Sequence, residues 1–310
     1  LRNAWDGRVR AAELRSRQTA RDLVADLKAG YVKVQLGESH LERLVRLADL
    51  VDLVAKVTGS RHAEGALSGL DRRLIHLASY SVETAEIRTR ARHEQTLAAW
   101  RADMGIDASR RLSLATPITY RSINLAEINA DRSDPAALPG DQAQVELGQA
   151  LGAHADAARP GLIPGLDVYG GFKRFDPDLD GIVAGIALDL PLFGVGKGEA
   201  DRLQAERRVV ENALAVDRTR RVGEIAALVA SLRAAQPLLA EFGGNFAQSS
   251  LADVLLVSYR EGELSLAELL SAIQIEAAAM DAYHADLATY YENMFRLEAL
   301  TGAKLVNFAP

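Results

Sequence analysis

Apolar residues recur every seven positions through the last part of the chain. Leu266, Ile273, Met280, Leu287 and Met294 form one row, and Leu269, Tyr283, Tyr290 and Leu297 form a companion row interrupted by Glu276. Near the start, Leu27, Val34, Leu41, Ala48 and Ala55 repeat the interval beside Leu23, Leu44 and Val51. A strict seven-residue period underwinds helices to about 3.5 residues per turn and wraps them around neighbours. Both segments therefore read as coiled-coil helices, with an ordinary soluble bundle as the plainer alternative. The pattern predicts that the Leu266 row is buried against another helix, with Tyr283 and Tyr290 in the core, while Asp281, Glu292 and Glu298 stay comparatively exposed.

The two helical segments belong to a repeat. Glu64-Gly65-Ala66-Leu67-Ser68 matches Glu261-Gly262-Glu263-Leu264-Ser265 at an offset of 197, and Gly105 and Gly302 differ by the same 197. Each copy reads as a turn, a long helix, a glycine-containing tip and a second long helix that ends at a glycine. The entry turns are Trp5-Asp6-Gly7-Arg8 and Phe193-Gly194-Val195-Gly196-Lys197. At about 1.5 Å per residue, a helix over residues 198–259 would reach roughly 90 Å. Pro237 and Gly243-Gly244 predict a kink or short break within it.

Between the copies the period changes. After a helix over residues 141–159, the prolines and glycines of 160–165 act as a breaker, and 166–175 reads as a strand. A second strand at 182–192 alternates, with Ile182, Ala184, Ile186, Leu188, Leu190 and Leu192 on one face and Asp189 on the other. The polar stretch 176–181 is turn-forming. Strands of this length with one apolar face suit a membrane barrel or a soluble hairpin packed on helices.

Composition narrows the class. Aromatics are only 5% of the 310 residues, which favours long helices over a sandwich. The net charge of −6 with no basic stripe argues against nucleic acid as a partner. The chain has no cysteine, hence no disulfide, thiolate nucleophile or cysteine-based zinc site. Its six histidines, His40, His62, His76, His93, His154 and His284, are scattered in sequence and read mostly as solvated helix positions. Gly194-Val195-Gly196-Lys197-Gly198 lacks the Walker spacing and reads as a strand-to-helix turn. No catalytic residue, metal site or cofactor is expected. No run approaches the roughly 18 to 20 apolar residues of a membrane-spanning helix.

Taken in order, these segments resemble the TolC-type outer membrane efflux proteins, the outer membrane factors of tripartite efflux systems. The likeness rests on the breaker at 160–164, a strand, an Asp/Gly loop, a strand closing on Leu190-Pro191-Leu192-Phe193, and the glycine-rich entry into a long helix. It rests also on the tip Tyr259-Arg260-Glu261-Gly262-Glu263-Leu264-Ser265-Leu266-Ala267-Glu268-Leu269-Leu270. The resemblance implies a mainly α fold in which long coiled-coil hairpins form an α-barrel and strands contribute to a trimeric β-barrel. Residues 1–159 would hold the first helical hairpin and a connecting helix, 160–193 a barrel hairpin, and 194–310 the second helical hairpin. Signal sequence, any lipidation cysteine and a first β-hairpin are expected upstream of Leu1.

The resemblance also implies partners and site residues. The partners are two further copies in a homotrimer, a periplasmic adaptor (membrane fusion) protein, an inner membrane transporter and outer membrane lipid. The acidic pore-ring position falls on Glu268, and the further acid three residues on is replaced by Ser271. Asp71 is its first-copy counterpart, expected near Tyr259 to hold neighbouring tips closed. The plain alternative for Glu268 and Asp71 is that acids favour helix N-termini, with Ser265 and Ser68 as N-caps. Gly65, Leu67, Ser68, Gly262, Leu264 and Ser265 are the tip residues for adaptor contact. The runner-up reading is a periplasmic coiled-coil adaptor or interaction protein without a pore. Cargo is open between metal cations and other small solutes.

Overall fold

The computed structural model describes residues 2–63, 68–107, 109–110, 112, 118–126, 138–159, 165–176, 179–189, 195–245 and 251–305. They form helices α1 (Arg2–Ala63), α2 (Gly69–Asp103) and α3 (Pro139–Ala158), strands β1 (Gly165–Asp176) and β2 (Leu179–Asp189), and helices α4 (Val195–Asn245), α5 (Leu251–Glu261) and α6 (Leu266–Thr301). Gly65, Leu67 and the breaker at 160–164 lie outside the described residues, as do Leu190 and Leu192. The chain divides into two compact units, one of residues 1–20 and 134–223, the other of 21–133 and 224–310.

In the first unit α3 packs on the start of α1. Gly7 is part of α1, not of an entry turn, and a Cβ there would lie 2.9 Å from the Ala150 Cβ. Its missing side chain is what lets the two helices approach. Asp141, only 1% exposed, accepts hydrogen bonds from Arg218 Nε (2.9 Å) and Arg221 Nη2. Leu151, Ala155 and Leu203 form the apolar contact. Gly196, Lys197 and Gly198 stand in the first turn of α4 rather than in a loop.

The antiparallel hairpin of β1 and β2 belongs to the same unit. Its strands run longer toward the turn than expected, to Asp176 and from Leu179, and β2 ends at Asp189. The register sets Val168 opposite Ile186, Gly170 opposite Ala184 and Phe172 opposite Ile182, so these share a face. Across the other face Tyr169 covers Gly185, where a Cβ would come within 2.5 Å of the ring.

In the second unit α6 is the centre. The Leu266 row and the row of Leu269, Tyr283, Tyr290 and Leu297 are buried, as the period requires. A third adjacent row, Leu270, Ala277, His284, Tyr291 and Glu298, is also largely covered, because α6 packs on more than one helix. This corrects the expectation for Glu298. It is 8% exposed, takes Lys28 Nζ at 2.8 Å and accepts the Leu305 N–H at 2.7 Å. Asp281 and Glu292 are exposed as expected.

The first-copy seam is also shifted. Leu23 is 46% exposed, and of the row from Leu27 to Ala55 only Val34 is buried. The close row is the companion one, in which Leu44 and Val51 are buried as expected, and it is extended by Gly30, Gly37 and Thr58. Its glycines face α2, where a Cβ on Gly30 would lie 2.4 Å from Trp100 Cδ1 and one on Gly37 would lie 3.0 Å from His93 Nδ1. Glycine carries no hydrophobic signal, so the pattern hid the part of this contact line that runs through Gly30 and Gly37.

Helix α4 runs unbroken through Pro237 and ends at Asn245, beside the expected Gly243-Gly244 position. Pro237 is exposed, where the carbonyl it leaves unpaired can bond water. The segment Lys197–Gly243 is long and apolar enough to cross a membrane by length and composition, which corrects the expectation that none would be. Part of this apolarity serves packing, since Ile225, Leu232 and Leu239 recur every seven residues in the α6 core, while Val209, Val216, Val222 and Leu238 are exposed. The extended residues 118–126 are clasped to that core by hydroxyls. Tyr291 Oη donates to the Thr119 carbonyl at 2.7 Å and Tyr290 Oη to that of Arg121 at 3.1 Å.

Candidate functional site

The tip between α5 and α6 is built by one glycine and one serine. Gly262 has φ +79°, a left-handed conformation that a Cβ would strain, and it turns the chain after Glu261. The Ser258 carbonyl then accepts from Glu263 N at 2.9 Å and Leu264 N at 3.3 Å, which occupies a helix-end acceptor. Ser265 caps α6 in a reciprocal box. Its Oγ accepts from Glu268 N at 3.3 Å, while Glu268 Oε2 accepts from Ser265 Oγ (2.7 Å) and N (2.8 Å). These hydrogen bonds hold the Glu268 carboxyl below the usual carboxylate range, the Ser265 hydroxyl contributing first.

The same box recurs 197 residues earlier. Asp71 N donates to Ser68 Oγ at 3.3 Å, and Asp71 Oδ2 accepts from Ser68 Oγ (2.9 Å) and N (3.2 Å). The helices that these boxes open both end on left-handed glycines, Gly105 (φ +66°) and Gly302 (φ +76°). The N-terminal capping anticipated for the two acids is thus present, with Ser68 and Ser265 as the caps. Both carboxylates remain at the surface, Glu268 exposed and Asp71 half-buried, and Ser271 is exposed on the first turns of α6.

Tyr259 is buried in a cluster with Leu47, Val51, Ile75, Ala78, Leu266 and Leu270, and Leu74 and Leu264 pack against it. Ile75 stands one turn beyond Asp71, so a single apolar cluster ties Tyr259 to the helix that Asp71 opens. The hydrogen bonds of Asp71 among the described residues go to Ser68, not to Tyr259.

Two features had no warning in the motif reading. His40 is buried, not solvated, and lies against His284, with His93 nearby. The seven-residue spacing of His40 from the buried Leu47 and Val54 is the signal that marks it as inward-facing. The second feature is apolar surface left open. Val168, Phe172, Ile182 and Ile186 on one face of the hairpin are 75, 68, 85 and 72% exposed. On α2, Ile75, Val82 and Thr89 are buried, whereas Leu70, Leu77, Tyr80 and Ile87 form a second apolar stripe at heptad spacing, each more than 60% exposed.

No protein-family model matches the chain, and no curated protein does. Solved structures match it closely in shape. The outer-membrane channel OprN superposes with a TM-score of 0.79 at 16% identity, over 98% of this chain and 71% of that one. CusC, described in terms of folding and transmembrane channel formation, gives 0.78 at 17% identity over 97% and 73%. The outer membrane protein VceC from Vibrio cholerae gives 0.75 at 18% identity over 98% and 75%. The architecture of long helical hairpins about a two-stranded β-hairpin is therefore that of the TolC-type outer membrane channels, and this chain carries their fold.

Proposed function

We propose that the chain is part of one subunit of a homotrimeric outer membrane efflux channel. In this reading it conducts small solutes from the periplasm outward in concert with a periplasmic adaptor and an inner membrane transporter. The observation that carries the reading is the unpartnered apolar surface on a fold shared with outer membrane channels. A hairpin exposing Val168, Phe172, Ile182 and Ile186 suits lipid contact once neighbouring strands complete a barrel. The stripe of Leu70, Leu77, Tyr80 and Ile87 has the spacing of a coiled-coil seam, and a helix of a second copy would cover it.

Asp71, Tyr259, Glu268 and Ser271 are the gate and pore candidates of this reading, and Gly262, Leu264, Ser265 and Ser68, with Gly65 and Leu67, the adaptor-contact candidates. A capped acid is a suitable ring element. At Glu268 the cap fixes the carboxylate's position and holds it below the usual carboxylate range, so three copies around a narrow opening would favour cations. The test is direct. Full-length protein is extracted from outer membranes, its mass is measured in detergent, and it is inserted in planar bilayers. A conducting trimer is the expected result. Recovery as a soluble periplasmic species without conductance would overturn the reading and favour an adaptor.

A further inference from the structure

One cluster in the second unit serves neither the tips nor the membrane face. His40 of α1 and His284 of α6 stack with ring centroids 4.9 Å apart and planes 17° from parallel. His40 is 5% exposed, and its Nε2 is buried with no hydrogen-bond partner among the described residues. His284 Nδ1 lies 2.8 Å from the Met280 carbonyl, a contact a neutral imidazole makes by donating, which leaves its Nε2 bare. His93 of α2 completes the group, its Nδ1 likewise buried and unpartnered. All three line a groove of about 250 Å³ with Lys33, Arg92 and Asp281.

The charges that face the pair come from all three helices. From α6, Asp281 Oδ1 lies 3.8 Å from His40 Nδ1, and Glu276 lies 3.9 Å from Arg43. From α2, Arg92 lies 3.8 Å from Asp281, and Arg88 lines the adjoining groove. From α1 come Arg43 and Lys33, the latter paired with Glu292 at 2.7 Å. Lys33, Arg43 and Arg92 each stand within 4 Å of a carboxylate, so the surrounding charges nearly balance and leave little to offset the burial of a charged imidazole. No three donors among the described residues converge as a metal cage.

We infer that the His40–His284 stack is a proton-sensitive latch: with both imidazoles neutral it holds α2 against α1 and α6 at this level, and protonation loosens α2. A proton on either ring puts charge in a largely buried stack beside another imidazole and the Arg92 and Arg43 guanidiniums. The repulsion and the lost hydration are relieved only when the helices separate and water enters. Burial is the main cause pushing both histidines below their ordinary value, and His284, with His40 against it, goes down to about 4.

The sign follows from linkage. A folded-state value depressed from 6.5 to about 4 means that the opened state binds the proton more tightly throughout that window. The latched form is fully favoured above about pH 6.5 and loses ground as pH falls toward 4. Between pH 7.5 and 5 the opening equilibrium shifts on the order of tenfold.

The experiment is hydrogen–deuterium exchange of the full-length protein in detergent at pH 7.5 and 5.0, corrected for intrinsic rates and read on peptides covering 85–96. The expected result is an opening constant raised about tenfold at pH 5.0, with the rise reduced in His284→Phe and His40→Phe, which keep an aromatic ring but cannot titrate. Asp281, exposed and safe to change, gives a test that does not depend on the core. Asp281→Asn removes the group that favours the imidazolium and should enlarge the pH effect, while Arg92→Gln should diminish it. An undiminished rise in both Phe variants, no rise in the parent protein, or the opposite signs for Asp281→Asn and Arg92→Gln would overturn the inference. So would zinc chloride at pH 7.5 protecting this segment in the parent but not in the Phe variants, which would make the cluster a metal site.

Discussion

Asp141 offers the sharpest test of how the first unit is held. Its carboxylate is 2% exposed and bonded to two arginines, Arg221 with a side chain 19% exposed and Arg218 with one 39% exposed. Replacing Asp141 with Leu removes the acceptor of both and leaves Arg221 mostly covered, with its Nη1 already lacking a partner among the described residues. Breaking a fully buried pair from one side typically costs about 3–5 kcal/mol. Arg218 can turn to water and Arg221 in part, so the expected loss here is about 2–3 kcal/mol. Urea unfolding in detergent, followed by circular dichroism, reads this as a lowered midpoint at unchanged slope. The decisive comparison is the triple variant Asp141→Leu, Arg218→Met, Arg221→Met. If the cost is uncompensated charge, the triple variant recovers most of the loss, because apolar groups of similar volume need no partner. A single variant no less stable than the triple one would refute the reasoning and make Asp141 an ordinary packing position.

Other outcomes follow from the same geometry. Ser265→Ala should lower stability by about 1 kcal/mol through loss of the α6 cap, and Ser68→Ala should do the same for α2, both readable as earlier exchange of the first-turn amides. Glu268→Gln should lower the cation preference of the conducting channel, with the effect fading at high salt. Since hydrogen bonds from Ser265 hold this carboxyl below its ordinary range, the parent's preference should persist as pH falls through 4.5 and fade only below it. Gly30→Ala forces a methyl into the Trp100 ring, which also donates from Nε1 to the Leu27 carbonyl at 2.9 Å. It should destabilise by about 1–3 kcal/mol and red-shift tryptophan emission as the ring is displaced toward water.

Some of this molecule was open to reading before any coordinates. The seven-residue rows of α6 were correct because a long helix buried along a seam must repeat its apolar residues at the period of that seam. The two capped helix starts and the turn at Gly262 were legible because a helix start calls for a serine with an acid three residues on and a left-handed turn calls for glycine. Those are local requirements that the chain states in its own letters. The alternation of Ile182, Ala184 and Ile186 likewise fixed a strand face, although not what would cover it.

The rest depended on which helices meet. Gly30 and Gly37 mark the line where α1 receives Trp100 and His93 of α2, but a glycine records a close approach only once the partner is known. Glu298 looked like a surface acid until α6 was seen to bury a third row, where Lys28 from a helix 270 residues away neutralises it. His40, His93 and His284 are unremarkable apart in sequence, and Asp141 gives no sign of the two arginines that close on it. The sequence by itself determined the order of helices and strands, the period of α6 and the capped starts of α2 and α6, since these arise from interactions within a few turns. Only the tertiary structure decided which polar groups are buried and with whom, because burial and pairing are properties of distant segments brought together.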